Sequence, residues 1–387
     1  MRRLSGIAAR PTAPEPIALP ASDGPIRMRA IRAVFTVGTP SNRLLRFALL
    51  VLAAVPTLLA AWRLVGWQIP GIDLLIPLLA AQRWVNGGDA YVAASFNEVL
   101  GPDLPFLYPP FVLPLLVPLL RLPVEWVMAG WVGICFGVAV WTLGRLRVPL
   151  RWMPAFLVWA PFLEGIVSGN VGVIAFAAFA ALFFTRAASP ADLHPIDRDP
   201  TDPRVAGLPE GLKATTVAAI KVSQVHAFLY LLLRRPRAAL AGLACLGLLV
   251  AATLPFTGIA IYGDWLQQLG RAADPTWVYA GMGLRHYLSP ELALAVAAGS
   301  VVLLWWVPRR GAGMWIGVLA VIGGFSLRTH SLLFLVPAML RLRREIALVG
   351  ALFIGSLNPT GLAVGTTIVV VCAVASIALP ALREPER

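Results

Sequence analysis

The residues able to do chemistry in this chain stand where its apolar stretches break. Asp73, in Gly71-Ile72-Asp73-Leu74, follows closely on the first long apolar segment, which ends at Gly66. A carboxylate just past a membrane span, shielded from bulk water, can draw the proton off an attacking hydroxyl as a general base. Beyond it come Ala80-Ala81-Gln82-Arg83-Trp84, Gly87-Gly88-Asp89-Ala90-Tyr91 and Tyr108-Pro109-Pro110-Phe111. The paired prolines fit a first helical turn, where no N–H is required. The plainer role for Asp73 is to cap the helix that follows it.

Other polar residues mark later breaks: Asn170 in Ser168-Gly169-Asn170-Val171, Lys221 ahead of a run into Arg234-Arg235-Pro236-Arg237, and Arg328 and His330 before Leu332. Lys221, Arg328 and Arg285 could neutralise an anionic leaving group. Against this stand snorkelling for Lys221 and lipid-headgroup contact for the two arginines. His330 and His286 lie near apolar helix ends, where an ionisable group is a functional candidate, whereas a lone histidine often makes one satisfied hydrogen bond and no more. His226 reads as a packing residue and His194 as inert. Asp89, Glu98 and Asp103 share a loop with Asp73, yet neither Asp89 nor Asp103 has a partner at Asp-x-Asp spacing, so no metal or other cofactor is expected. Trp62, Trp67 and Trp84 read first as interfacial anchors and second as sugar-stacking rings. Cys135, Cys245 and Cys372 sit inside apolar runs without ligand spacing and read as packed thiols.

The elements that must position these groups are set by composition. With 58% hydrophobic and 13% charged residues, the chain is too apolar for a soluble globule. The apolar runs are continuous rather than alternating, which excludes a β-barrel and predicts an all-α, polytopic membrane helix bundle. Roughly 10–12 spans are expected by length, several of them too short to cross straight, so broken or re-entrant helices are predicted. The net charge of +13 is almost wholly arginine, Lys213 and Lys221 being the only lysines. These arginines cluster at span ends, as the positive-inside bias requires, and this disfavours nucleic acid as a partner.

Residues 1–46 hold Arg2, Arg3, Arg10, Arg27, Arg29, Arg32, Arg43 and Arg46 among prolines without an apolar core, and are expected to be a disordered cytoplasmic tail. Residues 47–186 form a first membrane module whose loop, 67–107, carries Asp73; within it Leu74 to Trp84 reads as a surface helix. Residues 187–211, rich in Pro, Asp and Arg, read as an exposed linker, and 212–387 as a second membrane module. Arg145, Arg147, Arg151 and Arg234, Arg235, Arg237 all call for the cytoplasmic side, which simple alternation of the spans does not satisfy. The chain is expected to be a multi-pass protein of the cell membrane with a cytoplasmic amino terminus.

A lone Asp after the first span, an Ala-Ala…Gly-Gly-x-x-Tyr stretch and Tyr-Pro-Pro, in that order, resemble glycosyltransferase family 87, membrane enzymes of the GT-C class that use polyprenyl-phosphate sugars. The likeness continues at Asn170, at Lys221 and at the Ser326–His330 loop. It departs where Val171 and Gly172 replace a polar residue, where Gln224 replaces a proline, and where Ser326–His330 lacks the usual Ser-Pro and Trp. The resemblance implies a GT-C-like bundle and inverting transfer with Asp73 as base. It further implies donor phosphate or sugar contacts from Lys221, Arg328, His330, Tyr108 and Asn170, and loop or acceptor contacts from Asp89, Tyr91, His286 and Arg285. The donor would be a polyprenyl-phosphate sugar, mannose first and decaprenyl-phosphate arabinose second. The acceptor would be a lipid or glycan at the non-cytoplasmic face. From other classes, a transporter or lipid flippase predicts charges in mid-span and related halves, whereas here the charges sit mainly in loops with Glu164 the clearest near-span exception; a scaffold predicts a replaceable Asp73.

Overall fold

The computed structural model describes residues 69–91, 105–185, 196–202, 207–221, 224–272, 283–309, 311–324, 327–356, 359–379 and 382–383, with single positions between 48 and 62. All belong to one body, Arg43–Arg387. Apolar chain removed from water can satisfy its N–H and C=O groups within helices, and the described residues are almost wholly helical. Before the midpoint lie α1 (Ile72–Val85), α2 (Val112–Leu116), α3 (Val124–Arg145), α4 (Met153–Val158), α5 (Ala160–Val167) and α6 (Gly172–Phe183). After it come α7 (Leu208–Ile220), α8 (His226–Arg234), α9 (Pro236–Thr257), α10 (Ala260–Ala272), α11 (Leu284–Tyr287) and α12 (Pro290–Leu303). The last four are α13 (Ala312–Ile322), α14 (Val336–Met339), α15 (Arg344–Gly355) and α16 (Pro359–Ala375), and a 3-10 turn, Thr329–Leu335, leads into α14. One short ladder pairs β1 (Phe184–Thr185) antiparallel with β2 (Ile196–Asp197), Phe184 facing Asp197.

The all-α class is therefore as the sequence predicts. Among the described residues α3 and α9 are long and apolar enough to cross a membrane. A third crossing exists if Leu150–Val158 and α5 are one span, bent by 69° where they meet. Pro161 accounts for the break, since it lacks the N–H that would continue α4 into α5. Six further apolar helical stretches are shorter, at 10–17 residues. Val51, Val55, Leu58, Leu59 and Trp62 are helical and exposed.

Two packed regions hold the site. In the larger, Phe162, Phe176, Phe179, Phe183 and Phe334 form a chain of ring contacts that fixes α5, α6 and the Thr329–Leu335 turn against one another. In the smaller, α1 packs its buried Leu74, Leu78 and Ala81 with Tyr91, Phe106 and Leu113, and α10 adds Trp265, whose indole N–H donates to Leu107 O at 3.0 Å. Between α7 and α9 the backbones nearly touch: a Cβ on Gly211 would lie 1.9 Å from Ala238 O.

Basic residues gather where α6 ends and α7 begins. Arg145 and Arg198 donate to Ala180 O and Ala181 O at the carboxyl end of α6. Arg341 pairs with Asp197, and Arg235 donates to Thr201 O at 2.5 Å. Arg145 and Arg235, one from each arginine group that simple alternation separated, thus come to one end of the bundle beside the 196–202 segment. Glu210, at the start of α7, takes Arg198 at 2.7 Å and Lys213 at 3.1 Å. Burial opposes its charge, but the Lys213 hydrogen bond and the Lys213 and Arg198 charges outweigh that and hold its carboxyl below the usual range.

A carboxyl held low contributes stability above its unfolded pKa and loses it as pH falls through the folded value. Glu210→Gln is expected to cost roughly 1–3 kcal/mol at neutral pH. Melting temperatures of variant and wild type in detergent should converge as pH drops through the carboxylate range.

Candidate active site

The site is assembled on the turn between α5 and α6. Gly71 N–H donates to Val167 O and Asp73 N–H to Ser168 O, both at 2.8 Å, which seats the start of α1 on that turn. Gly169 adopts φ +71°, and Trp131 from α3 covers it, donating from Nε1 to Gly169 O at 2.7 Å. A side chain there would be strained by the backbone and would meet the Trp131 ring at 2.7 Å.

Asp73 does not cap α1, which has no side-chain cap. Its Oδ2 instead accepts from Asn170 Nδ2 at 2.8 Å, across the interior of the protein, while Asn170 Oδ1 accepts from Gly172 N–H at 2.7 Å. The asparagine amide is thereby fixed in one orientation, and the acid receives a neutral donor. Lys221 Nζ and His330 Cδ2 lie within 3.3 and 3.1 Å of the point a Gly172 Cβ would occupy, so α6 begins with glycine because three side chains crowd that point. Lys221 follows the last turn of α7 and its Nζ is buried without a hydrogen-bond partner among the described residues. His330, in the 3-10 turn, is also buried, and Arg328 beside it acts on both Lys221 and Glu164.

From Asp73 a cavity of about 360 Å³ runs between α2, α7 and α9. Tyr108, Pro109, Trp131 and Val171 surround its Asp73 end, and Thr215, Thr216, Ala219, Gly242 and Cys245 its flank. Asp73 is the one charged residue on this wall; Asn170, Lys221 and His330 stand in the adjoining layer. A carboxylate at the end of an apolar slot, backed by a lysine, an arginine and a histidine, suits proton removal beside an anionic group.

The remaining expected residues divide. Tyr91 is buried and its hydroxyl donates to Tyr108 O at 2.7 Å, so it fixes the Tyr-Pro-Pro segment. Burial, then the neighbouring Tyr262, Asp264 and Asp89, pushes its phenol pKa up and keeps it a donor. Asp89 is exposed and accepts locally from Tyr91 N–H at 2.8 Å, a turn bond rather than a part of the Asp73 cluster. Arg285 and His286 are on α11, with side chains outside the described residues, as are Ser326, Glu98 and Asp103 entirely. His226 hydrogen-bonds Ser300 Oγ at 2.8 Å, as a packing residue would. Trp131 and Glu164 were not legible as site residues. Trp131 resembles any tryptophan of an apolar helix, whereas Glu164 carries a signal of its own, an acid inside an apolar stretch.

With this arrangement in view, the comparison with known families is decisive. The model of glycosyltransferase family 87 matches residues 106–310, more than half of the chain. The chain belongs to glycosyltransferase family 87. Tyr108, Glu164, Asn170 and Lys221 fall inside the matched stretch, while Asp73, Arg328 and His330 lie outside it and join the site through the fold. The chain is also similar to the polyprenol-phosphate-mannose-dependent alpha-(1-2)-phosphatidylinositol mannoside mannosyltransferase of Mycobacterium tuberculosis. They are 31% identical over 243 residues, covering 56% of this chain and 52% of that protein. The chain thus spans about half the length of this curated relative. No solved structure matches it.

Gly172→Ala would bring a methyl group 2.7 Å from Asn170 Oδ1. It is expected to turn the Asn170 amide away from Asp73, to lower the rate of any reaction that uses this pair by about tenfold or more, roughly 1.4 kcal/mol, and to lower the melting temperature, because a buried hydrogen bond is costly to leave unmade. Initial rates at matched protein concentration check this.

Proposed function

We propose that this protein is an integral membrane glycosyltransferase that moves mannose from a polyprenyl-phosphate carrier to a lipid-linked or glycan acceptor, with inversion and with Asp73 as general base. The observation that carries the reading is the placement of Asp73: it is the lone acid on the wall of an apolar cavity, and a buried lysine, a histidine and an arginine stand behind it. The isoprenoid tail would lie in the slot between α2, α7 and α9, where small side chains leave room. Its phosphate would be met by Lys221, His330 and Arg328, whose positive charge lowers the cost of the departing phosphate. Asp73 would accept the acceptor hydroxyl's proton as oxygen attacks the anomeric carbon. A single displacement needs one such base, and the second carboxylate nearby, Glu164, faces His330 rather than the cavity.

The relative's name specifies a polyprenol-phosphate-mannose donor and a phosphatidylinositol mannoside acceptor; on that ground mannose precedes arabinose here, and a lipid-linked acceptor precedes a free glycan. The arginines at the α6–α7 end favour a cytoplasmic assignment for that end. The site lies at the opposite ends of both helices, which supports transfer at the non-cytoplasmic face of the cell membrane, with the amino-terminal tail in the cytoplasm. Family membership supports a GT-C-like bundle whose further spans complete the roughly 10–12 expected by length.

Transfer of radiolabelled mannose from polyprenyl-phosphate mannose into membrane lipids tests the reading. Asp73→Asn should lose about 10²–10⁴-fold in rate, the range of a general base; equal labelling by both proteins would remove Asp73 from the role. Labelling from decaprenyl-phosphate arabinose alone would exchange the sugar. Ala219→Trp, which fills the slot without touching the polar cluster, should raise the donor KM about tenfold or more with kcat little changed, because it removes uniform binding.

A further inference from the structure

Glu164 has no part in the transfer as proposed, yet its position is unusual. It sits near the middle of α5, among Phe162, Gly165 and Ile166, all buried. A carboxylate in such a helix is costly unless something holds it there. Its Oε1 stands 3.8 Å from His330 Nδ1, close enough for an ion pair and too far for a direct hydrogen bond. Thr329 and Arg328, from the same turn as His330, act on the same carboxylate. The opposite edge of the imidazole, at Cδ2, lies against Gly172, where Lys221 Nζ and Asn170 Oδ1 also stand.

The ring is thus placed with one nitrogen toward an acid and its far edge toward the lysine and the Asp73–Asn170 pair. In a neutral imidazole the partner of one nitrogen decides whether the other donates or accepts. Burial and the Lys221 charge by themselves disfavour a doubly protonated ring; a carboxylate facing Nδ1 and a phosphate oxygen arriving at Nε2 together favour it, making the far edge a donor to the phosphate. A phosphate oxygen needs a donor.

We infer that Glu164 is a positioning residue that acts through His330, orienting and charging the imidazole so that it, together with Lys221, binds the phosphate monoester of a polyprenyl-phosphate ligand. This rests on the proposed phosphate role of Lys221 and His330. The groups facing the pair are Lys221 at the end of α7, Arg328 and Thr329 on the 3-10 turn, and Asp73 on α1.

The test uses the full chain in detergent and two probes, farnesyl phosphate and farnesol, with Glu164→Gln, His330→Ala and the double variant. Glutamine keeps the shape of glutamate, and melting temperatures confirm that each variant is folded. Wild type should bind farnesyl phosphate at least about tenfold more tightly than farnesol, and Glu164→Gln should lose about tenfold toward the phosphate with farnesol unchanged. In the His330→Ala background the same glutamine should change phosphate binding by less than about twofold, because the residue it acts through is gone. Unaltered phosphate binding by Glu164→Gln, or an equal loss with and without His330, would overturn the inference. A wild type that fails to distinguish the two probes would overturn it together with the phosphate reading. Phosphate binding with the predicted coupling but no transfer from polyprenyl-phosphate mannose would sink the proposed donor alone and leave Glu164 in its place.

Discussion

The hydrogen bond from Asn170 to Asp73 is the contact on which the site depends. It joins the first helix after the amino-terminal apolar segment to a turn nearly a hundred residues later, and both ends of the asparagine amide are committed, one to the acid and one to the Gly172 N–H. In a protein surrounded by lipid, water is not at hand to replace a lost partner, so such a bond is costly to leave unmade. The backbone bonds Gly71 to Val167 and Asp73 to Ser168, with the Trp131 indole over Gly169, act as its frame. The acid is therefore held from several directions before any substrate arrives, the preorganisation that makes a charge effective in a water-poor site.

Much of this was legible in the sequence because membrane chains segregate their chemistry. Where apolar residues occupy the helices, the polar residues left at the breaks are few, and Asp73, Asn170, Lys221 and His330 were found on that ground before the fold brought them together. The same logic predicted an all-α chain and broken helices, and Pro161 supplies the break between α4 and α5. What one dimension could not convey was pairing across distance. A helix cap, the plainer role open to Asp73, is a local contact, whereas its actual partner is an asparagine four helices further along the chain. Asp89, expected to make an acceptor or loop contact, has its carboxylate engaged by the neighbouring Tyr91 N–H, a pairing that spacing alone did not reveal. Arginine groups that seemed to contradict each other topologically were reconciled by the 196–202 segment, whose turns and two-residue strand have no periodic signal.

The two ends of the bundle divide the electrostatic work. At one end, Arg145, Arg198 and Arg341 engage helix carbonyls, Glu210 and Asp197. At the other, charged groups of both signs approach each other but are not fully consumed: Lys221 Nζ, His330 Nδ1 and Glu164 Oε2 are all buried without hydrogen-bond partners among the described residues. Buried polar groups are ordinarily satisfied.

The slot beside Asp73 is bounded on its flank by Thr215, Thr216, Ala219, Gly242 and Cys245, and the close contact of Gly211 with α9 fixes how far its two main walls can part. Where two helices meet backbone to backbone, with no side chain between them to change rotamer, their separation is a property of the fold and is fixed before any guest arrives.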